Sequence, residues 1–368
     1  MATIIEKLTE QEVFDAFIQE NMKTSTYKSE AKAELDIEYC ASKAYAAYVA
    51  EYAAAMAGSV VDKNANKPLH VMPEAAYLYG KLARMADEWQ MDNERLDQYF
   101  LMERRYRDKY NNYTPEQRIA EYGKIVKFLF DPYEKAAIAP WKRIDISYFE
   151  GLYNGMQDVQ LDNNSKSGVR YALDLGIKKF YAKTAAWGNA SATPIADLEQ
   201  ICEYAETIGK PILRIRMSRA TYVKMCKATE LQSKFVLKLT KANVNPDQPS
   251  IIPLNTLNEY LESIELPVIE IEKPKFVLLP NGNSMNMIPA DRVCVMFAPK
   301  VAVLKVSEGV ETIDRLPNKQ YSTYEDNLIG NYRTAEGRFV DYEMWATPVF
   351  TGKKDYAILI TNSLDPNA

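Results

Sequence analysis

The stretch of sequence that decides the fold is residues 114–155, TPEQRIAEYGKIVKFLFDPYEKAAIAPWKRIDISYFEGLYNG. It opens with a helix-start signal, because Thr114 suits the N-cap, Pro115 suits the first helical position and Gln117 can close a capping box. The stretch therefore predicts one long helical axis over residues 115–156.

Two apolar stripes run along this axis at the spacing of one helix face. The stripe in the first half consists of Ile119, Tyr122, Val126 and Leu129. The stripe in the second half consists of Ile144, Tyr148 and Leu152, and we predict that this second stripe is buried. Asp131-Pro132 repeats the start signal, and Pro140 starts or kinks a further segment. We therefore expect a broken axis that ends near Gly155, since glycine favours the position after a helix.

The composition excludes several classes of protein. The chain has 368 residues, of which 47% are hydrophobic and 26% charged, which is typical of two or three globular units and not of disorder. The longest stretch without a charge contains prolines and asparagines, so we predict no membrane span. The N-terminus has no features of a signal peptide, and we expect a soluble protein that is cytoplasmic when made.

Few residues could carry catalysis. The only histidine, His70, lies in a proline-bounded loop without an evident partner. The four cysteines, at positions 40, 202, 226 and 294, form no CxxC pair, and three have apolar neighbours that predict reduced, buried thiols. No GxxxxGK, GxGxxG or GxSxG motif occurs. We therefore predict no catalytic, cofactor-binding or metal site, although the 50 acidic residues leave a carboxylate-dependent hydrolase open.

The N-terminal 40 residues carry the whole net charge of the chain. They hold four lysines against nine acids, a net charge of −5, while the remainder is balanced. This asymmetry indicates either an arm whose partner lies elsewhere, with another copy of the chain as one candidate, or an acidic, solvated helix face. Both interpretations stay open.

Residues 31–57 are rich in alanine and predict a helix. Tyr45, Tyr48, Tyr52 and Met56 share one face at helical spacing, and Gly58 suits the stop. Residues 59–111 show no clean period, so a long hairpin and a charged helix are both open.

The rest of the chain alternates strands and helices, which predicts an α+β protein. A helix should run from Thr193-Pro194 to Gly209, a strand PILRIRM should follow, and Ser218 should cap the next helix. A short helix is expected near residue 255. Asn281-Gly282 predicts a tight turn among further strands.

Residues 210–241 form a basic segment with nine cations against Glu230 alone. Its cations are Lys210, Arg214, Arg216, Arg219, Lys224, Lys227, Lys234, Lys238 and Lys241. Because Arg214 and Arg216 share a strand face and Lys224 and Lys227 a helix face, a coherent patch is predicted. A solvated face, a dock for the acidic arm of a neighbouring subunit and contact with packaged DNA are all open.

Four stretches, taken in order, resemble the major capsid proteins of tailed phages with the Hong Kong 97-type fold, and the lambda-type major head proteins in particular. They are residues 130–155 (FDPYEK…) as the spine helix, residues 171–225 with Trp187 and Pro194-Ile195-Ala196-Asp197, residues 276–310 with an Ile-Pro and an Arg-Val strand, and residues 330–360 as returning strands. The resemblance rests on the order of elements over roughly residues 115–362.

The resemblance implies a Hong Kong 97-like phage capsid fold in five parts. They are an N-terminal helical arm (1–58), an extended loop (59–111), a peripheral domain with the spine helix (112–156), an axial domain (157–325) and returning strands of the peripheral domain (326–368). The family's Lys–Asn crosslink cannot be mapped onto this chain, so none is predicted.

The resemblance also implies the function. A major capsid protein self-assembles, without catalysis, into hexamers and pentamers of an icosahedral head that encloses double-stranded DNA. Scaffolding, portal and decoration proteins are the expected partners, together with non-specific DNA at the inner surface, and no membrane. The protein would be located in the virion after assembly in the host cytoplasm. An encapsulin-like shell or another virion structural protein remains the alternative.

Overall fold

The computed structural model describes residues 4–49, 76–160, 163–164, 170–239 and 251–364. The helices are α1 (Ile4–Lys7), α2 (Gln11–Met22), α3 (Glu30–Glu34), α4 (Asn93–Lys109), α5 (Pro115–Asn154), α6 (Pro194–Ile208), α7 (Arg219–Cys226), α8 (Thr229–Leu239), α9 (Leu254–Ser263) and α10 (Val310–Ile313).

The first nine strands are β1 (Asp36–Tyr39), β2 (Ala44–Val49), β3 (Ala76–Lys81), β4 (Arg84–Met85), β5 (Glu88–Asp92), β6 (Met156–Val159), β7 (Tyr171–Asp174), β8 (Lys179–Ala182) and β9 (Arg214–Ser218). The last nine are β10 (Ile269–Glu272), β11 (Phe276–Leu278), β12 (Ser284–Asn286), β13 (Arg292–Met296), β14 (Ala302–Ser307), β15 (Gln320–Tyr324), β16 (Asn327–Thr334), β17 (Gly337–Phe350) and β18 (Tyr356–Leu364).

The long helix α5 forms where the sequence predicts it. The backbone N–H of Gln117 donates to Thr114 Oγ1 at 3.3 Å, and that of Thr114 donates to Gln117 Oε1 at 3.0 Å, which completes the capping box. Gly155 ends the helix at φ 67°, a left-handed conformation that glycine adopts without strain. The helix is continuous through both internal prolines, so the expected break is wrong.

Two hydrophobic cores lie on opposite faces of the five-stranded sheet. A seven-stranded sheet, ordered β1-β14-β17-β16-β15 with β4 and β5 also paired to β17, packs on α5 in the first core. A five-stranded sheet is ordered β10-β9-β13-β18-β8. Along its central strand β13, Cys294 and Met296 face the first core, while Val293 and Val295 face the second core beneath α6 to α9. The alternation of a strand therefore joins the two cores.

The second core follows the sequence prediction closely. Helix α6 starts at Pro194 and ends before Gly209, which has φ 66°. The Ser218 hydroxyl accepts from the Thr221 backbone N–H at 3.1 Å and caps α7. Outside the second core, the turn at Asn281-Gly282 joins β11 to β12, with Gly282 at φ 87°. These predictions are confirmed because each depends on a local signal.

The helix predicted over residues 31–57 is limited to α3, which ends at Glu34, and is wrong for residues 36–49. Residues 36–39 form β1, parallel to β14, and residues 44–49 form β2, antiparallel to β3. The partner strands supply backbone hydrogen bonds that outweigh the helical preference of alanine. Tyr52, Met56 and Gly58 lie outside the described residues.

The N-terminal helices fold onto their own subunit. Phe14, Ile18 and Met22 are buried in the first core, opposite the acidic face of α2. Gln11 forms two hydrogen bonds with the outer edge of β15. Its Oε1 accepts from the Tyr321 N–H at 2.9 Å, and its Nε2 donates to the Tyr321 carbonyl. The apolar face of this segment therefore packs within its own subunit, while its acidic face is exposed. The interpretation as an arm whose partner lies elsewhere stays a prediction.

Residues 84–109 contain the charged helix that the sequence left open, as α4, but β4 and β5 do not pair with each other as the strands of a long hairpin would. Strands β4 and β5 pair with β17, and α4 packs against α5 through buried Leu96 and Tyr99. The domain boundaries at 58, 111, 156 and 325 stay a prediction.

Candidate functional site

A buried arginine links the two cores. Arg216 on β9 donates from Nη2 to Glu34 Oε1 of α3 at 2.8 Å and from Nε to Glu272 of β10. Tyr148 of α5 donates its hydroxyl to Glu34 Oε2 at 2.7 Å, and Lys275 Nζ lies 3.3 Å from Glu272 Oε2. We call these five residues the Arg216 node.

Within the Arg216 node, Arg216 and Glu34 hold each other ionised. Burial raises the pKa of Glu34, but the hydrogen bonds and charge of Arg216 outweigh it and leave the pKa below its ordinary value. Burial lowers the pKa of Arg216, and Glu34 and Glu272 raise it further than burial lowers it. Burial, together with the Glu34 charge, raises the pKa of Tyr148. The node is therefore a fixed polar joint and not a proton-transfer site at neutral pH.

The second half of α5 carries another buried acid, Glu150. Its carboxylate accepts from the Asp158 N–H and from Asn163 Nδ2, both at 3.4 Å. Burial raises the pKa of Glu150 to about 7, against the lowering effects of the Asp158 N–H and the Arg143 charge. This group therefore changes charge near neutral pH.

The basic segment does not form the coherent patch that the sequence predicts. Three of its cations are paired: Lys210 with Asp355 at 2.7 Å, Arg214 with Glu270 at 3.8 Å, and Arg216 within its node. Arg214 is exposed and the side chain of its partner Glu270 is half-exposed, whereas Arg216 is buried and the side chain of its partner Glu272 is only 9% exposed. The side chains of Lys238 and Lys241 lie outside the described residues. Docking of Glu34 onto Arg216 does occur, but within one subunit.

A polar cavity of about 340 Å³ lies beside β15, β16 and β17. Lys319 Nζ is 2.7 Å from Glu311 Oε2 and also pairs with Asp341. A Cβ at Gly330 would overlap the ends of the Lys319 and Asp341 side chains, so glycine leaves room for this ion pair. Burial lowers the pKa of Lys319, but the two carboxylates raise it above its ordinary value, so the amine is protonated and not nucleophilic.

The other acids of this cavity are also engaged. Glu343 accepts from Arg84 Nε at 2.9 Å, and Asp87 accepts from the hydroxyl of Tyr342 at 2.6 Å. Glu88 accepts from the Tyr332 hydroxyl. The residues that line the cavity thus form a network of ion pairs and hydrogen bonds, and the acids named here are not free to act as a catalytic carboxylate pair.

The cysteines are free thiols. Cys226 and Cys294 are buried, and burial raises the pKa of both thiols. Cys202 is half-buried, and burial followed by the charge of Glu206 raises its pKa to about 11. Among the described residues, no cluster of His, Cys, Asp and Glu could hold a metal ion, and no helix is long and apolar enough to cross a membrane. His70 lies outside them.

The surface of the first half of α5 differs from the sequence prediction. Ile119 is 75% exposed and Tyr122 is 46% exposed, whereas Ile125 and Leu129 face the core. The end of α4 lies against the same half, with the Tyr106 and Tyr122 ring centroids 5.9 Å apart. The periodicity finds an apolar face here, but it cannot tell which side of the helix the rest of the subunit covers.

The fold has relatives among solved structures. It is similar to a protein described as the capsid protein of a prophage of Escherichia coli CFT073, with 11% identity and a TM-score of 0.56 over 96% of this chain and 99% of that one. A phage-related protein from Bordetella bronchiseptica RB50 aligns over 96% and 98% of the two chains, with 14% identity and a TM-score of 0.45. No protein-family model and no curated sequence matches the chain.

The class of fold rests on the first of these structures. The alignment spans both chains almost end to end, so it includes α5, both sheets and the helices of the second core. The chain therefore has the α+β fold of a phage capsid subunit, as the resemblance implies.

Proposed function

We propose that this protein is the major capsid protein of a tailed phage, which self-assembles without catalysis into the icosahedral shell around double-stranded DNA. The observation that carries the proposal is the end-to-end similarity of the fold to the prophage capsid protein. The lack of an open catalytic constellation among the described residues is compatible with a structural role. The shell would be part of the virion, assembled in the host cytoplasm.

Exposed apolar patches support assembly. Tyr39, Val310 and Ile313 border an open groove of about 620 Å³, and all three are largely exposed. Phe276 and Leu278 expose their side chains from one face of β11. Patches of this kind are typical of surfaces that bind other proteins. Many such contacts, each modest, stabilise a closed shell together.

The proposed parts of the subunit follow the resemblance, with one adjustment. We propose that β2 and β3 form the base of the extended loop, because they pair only with each other among the described strands. The loop would then span residues 44–81, in place of 59–111. The axial domain would correspond to the second core, and the peripheral domain to the first core.

The proposed partners are further copies of the chain, in hexamers and pentamers, with scaffolding, portal and decoration proteins. Non-specific DNA contact at the inner surface would use Arg219, Lys224 and Lys227, which form no ion pair among the described residues. Such contact weakens by about 0.9 log units per phosphate for each tenfold rise in salt. Lys224→Glu with Lys227→Glu should therefore flatten the salt dependence of DNA binding and leave empty shells intact.

Negative-stain microscopy of the purified full chain tests the proposed function. We expect closed polyhedral shells, with sedimentation far above that of a monomer. A protein that stays monomeric or forms a small oligomer, at all salt and protein concentrations and with its scaffolding protein present, would contradict the proposal. Glycan-hydrolysing activity in such a protein would favour the hydrolase alternative.

A further inference from the structure

The first half of α5 presents an apolar face that the described part of the subunit covers only partly, through the contact of Tyr106 with Tyr122. Ile119, Tyr122, Gly123 and Val126 recur at the spacing of one helix face, and Ile119 and Tyr122 are exposed. We call these four residues the outer stripe. An apolar stripe of this spacing is typical of a helix that packs against another helix.

Gly123 gives the outer stripe a specific shape. It lies inside α5, where glycine disfavours the helix, and a Cβ built on it would meet no atom within 4 Å. Crowding within the subunit therefore does not explain the glycine. A notch between Tyr122 and Val126 would let a second helix approach the backbone of α5 closely.

Cations surround the outer stripe. Lys127 follows Val126 directly and lies one helical turn beyond Gly123, and Arg105 and Lys109 lie at the end of α4 that Tyr106 brings against Tyr122. These three cations are exposed and form no ion pair among the described residues. The stripe is thus an apolar surface with a positive border, which suits an acidic, amphipathic partner.

The outward face of α2 has the complementary character. Glu12, Val13, Ala16 and Glu20 are exposed along one side, and the two glutamates have no ion pair among the described residues. The opposite side of α2 is anchored in the first core, where the Phe14 ring centroid lies 5.7 Å from that of Tyr133. Because the helix is held there, its outward face cannot turn toward the outer stripe of the same subunit.

We propose that the outer stripe of one copy docks on the outward face of α2 of a second copy. Gly123 would admit the α2 backbone near Ala16, and Lys127 would lie close to Glu12 or Glu20. The two surfaces differ, so the contact is head-to-tail, and repeated contacts of this kind close into rings when the rotation permits. This inference rests on the proposed function and assigns one of its subunit contacts.

Four variants of the full chain test this contact. Ile119→Asp should raise the protein concentration required for assembly about tenfold or more, because it places an unpaired carboxylate in an apolar contact. Its melting temperature should stay unchanged, since Ile119 is exposed. Lys127→Glu should impair assembly in the same direction. Adding Glu12→Lys and Glu20→Lys to Lys127→Glu should restore it. The matched control is Leu213→Asp, an exposed aliphatic residue outside both surfaces.

The results for these variants distinguish failure of the docking contact from failure of the proposed function. Normal assembly of Ile119→Asp, or an equal loss in Leu213→Asp, would overturn the docking contact while the proposed function stands. A defect in Lys127→Glu that the α2 reversals do not restore would assign the stripe to another occupant, such as a scaffolding protein, and overturn the proposal. A wild-type protein that never forms particles would contradict the proposed function itself.

Discussion

The two halves of α5 have similar sequence patterns and opposite surroundings. In the second half, Ile144, Tyr148 and Leu152 are almost completely buried between the two sheets. In the first half, Ile119 and Tyr122 have the same kind of spacing, yet they face outward. One continuous helix thus serves as the centre of a core at one end and as an exposed apolar surface at the other.

This difference teaches what hydrophobic periodicity can specify. The period gives the face of a helix that avoids water, because the side chains at positions three and four apart lie together. It does not say whether the same chain or another copy covers that face. For a protein that assembles, an exposed stripe is information about a partner.

The largest expected effect is in the second half. Ile144→Asp with Leu152→Asp should abolish folding, because each change buries an unpaired carboxylate at a cost of several kcal/mol, and a domain has about 5–15 kcal/mol in total. Circular dichroism and solubility would check this. The matched pair Ile119→Asp and Tyr122→Asp should leave the fold unchanged. A soluble, fully helical Ile144/Leu152 variant would show that the second half of α5 is not buried and so does not differ from the first half.

The next effect concerns the polar joint beside the second half. Arg216→Ala should destabilise the subunit by about 3–5 kcal/mol, because Glu34 and Glu272 would keep buried charges without their partner. Arg216→Met, combined with Glu34→Gln and Glu272→Gln, should recover part of this loss by removing the unpaired charges. Urea unfolding would measure both. A loss below about 1 kcal/mol in the alanine variant would show that water reaches the node.

A smaller effect depends on pH. The pKa of Glu150 is about 7 in the folded protein, against an ordinary value of 4.5, so between these values the folded state binds the extra proton. Stability should therefore fall as pH rises from about 4.5 to 7 and then level off. Glu150→Gln should come closest to the wild type below pH 4 and exceed it at pH 8, by about 3 kcal/mol at most. Parallel stability curves for the two proteins would contradict this.

The smallest effect is expected in the first half. Gly123→Ala should stabilise the isolated subunit by about 0.5–1 kcal/mol, because alanine favours the helix and its Cβ has open space. The same change should weaken assembly, since it fills the notch in the outer stripe. Thermal unfolding and particle yield would report the two effects separately. If Gly123→Ala raised both the thermal stability and the particle yield, the glycine would have no role in the contact between subunits.

Local signals predicted the fold well. Thr114 with Gln117, Gly155, Gly209, Ser218 and Asn281-Gly282 each set a helix end or a turn through atoms a few residues apart. The strand β2 was missed because its structure depends on β3, which begins at Ala76. A pattern of alanine and tyrosine is compatible with either structure until the partner strand is known.

The site was less predictable, because its contacts join distant parts of the chain. The basic segment was read as one surface, yet Arg216 meets Glu34 from the N-terminal region and Lys210 meets Asp355 near the C-terminus. The spacing of charged residues along a sequence does not show which of them are buried in the fold. Glu34 was visible as part of an acidic stretch, but nothing local marked it as the partner of a buried arginine.

The seven-stranded sheet joins the two ends of the chain, and this has a consequence for synthesis. Asp36 of β1 lies opposite Val303 of β14, and Gln11 seals the edge at Tyr321. The ribosome adds about 5–20 residues per second, so α2 and α5 emerge many seconds before the strands that cover them. During that interval their apolar faces are open to chaperones and to other nascent chains, and the sheet can form only after β17 has been made.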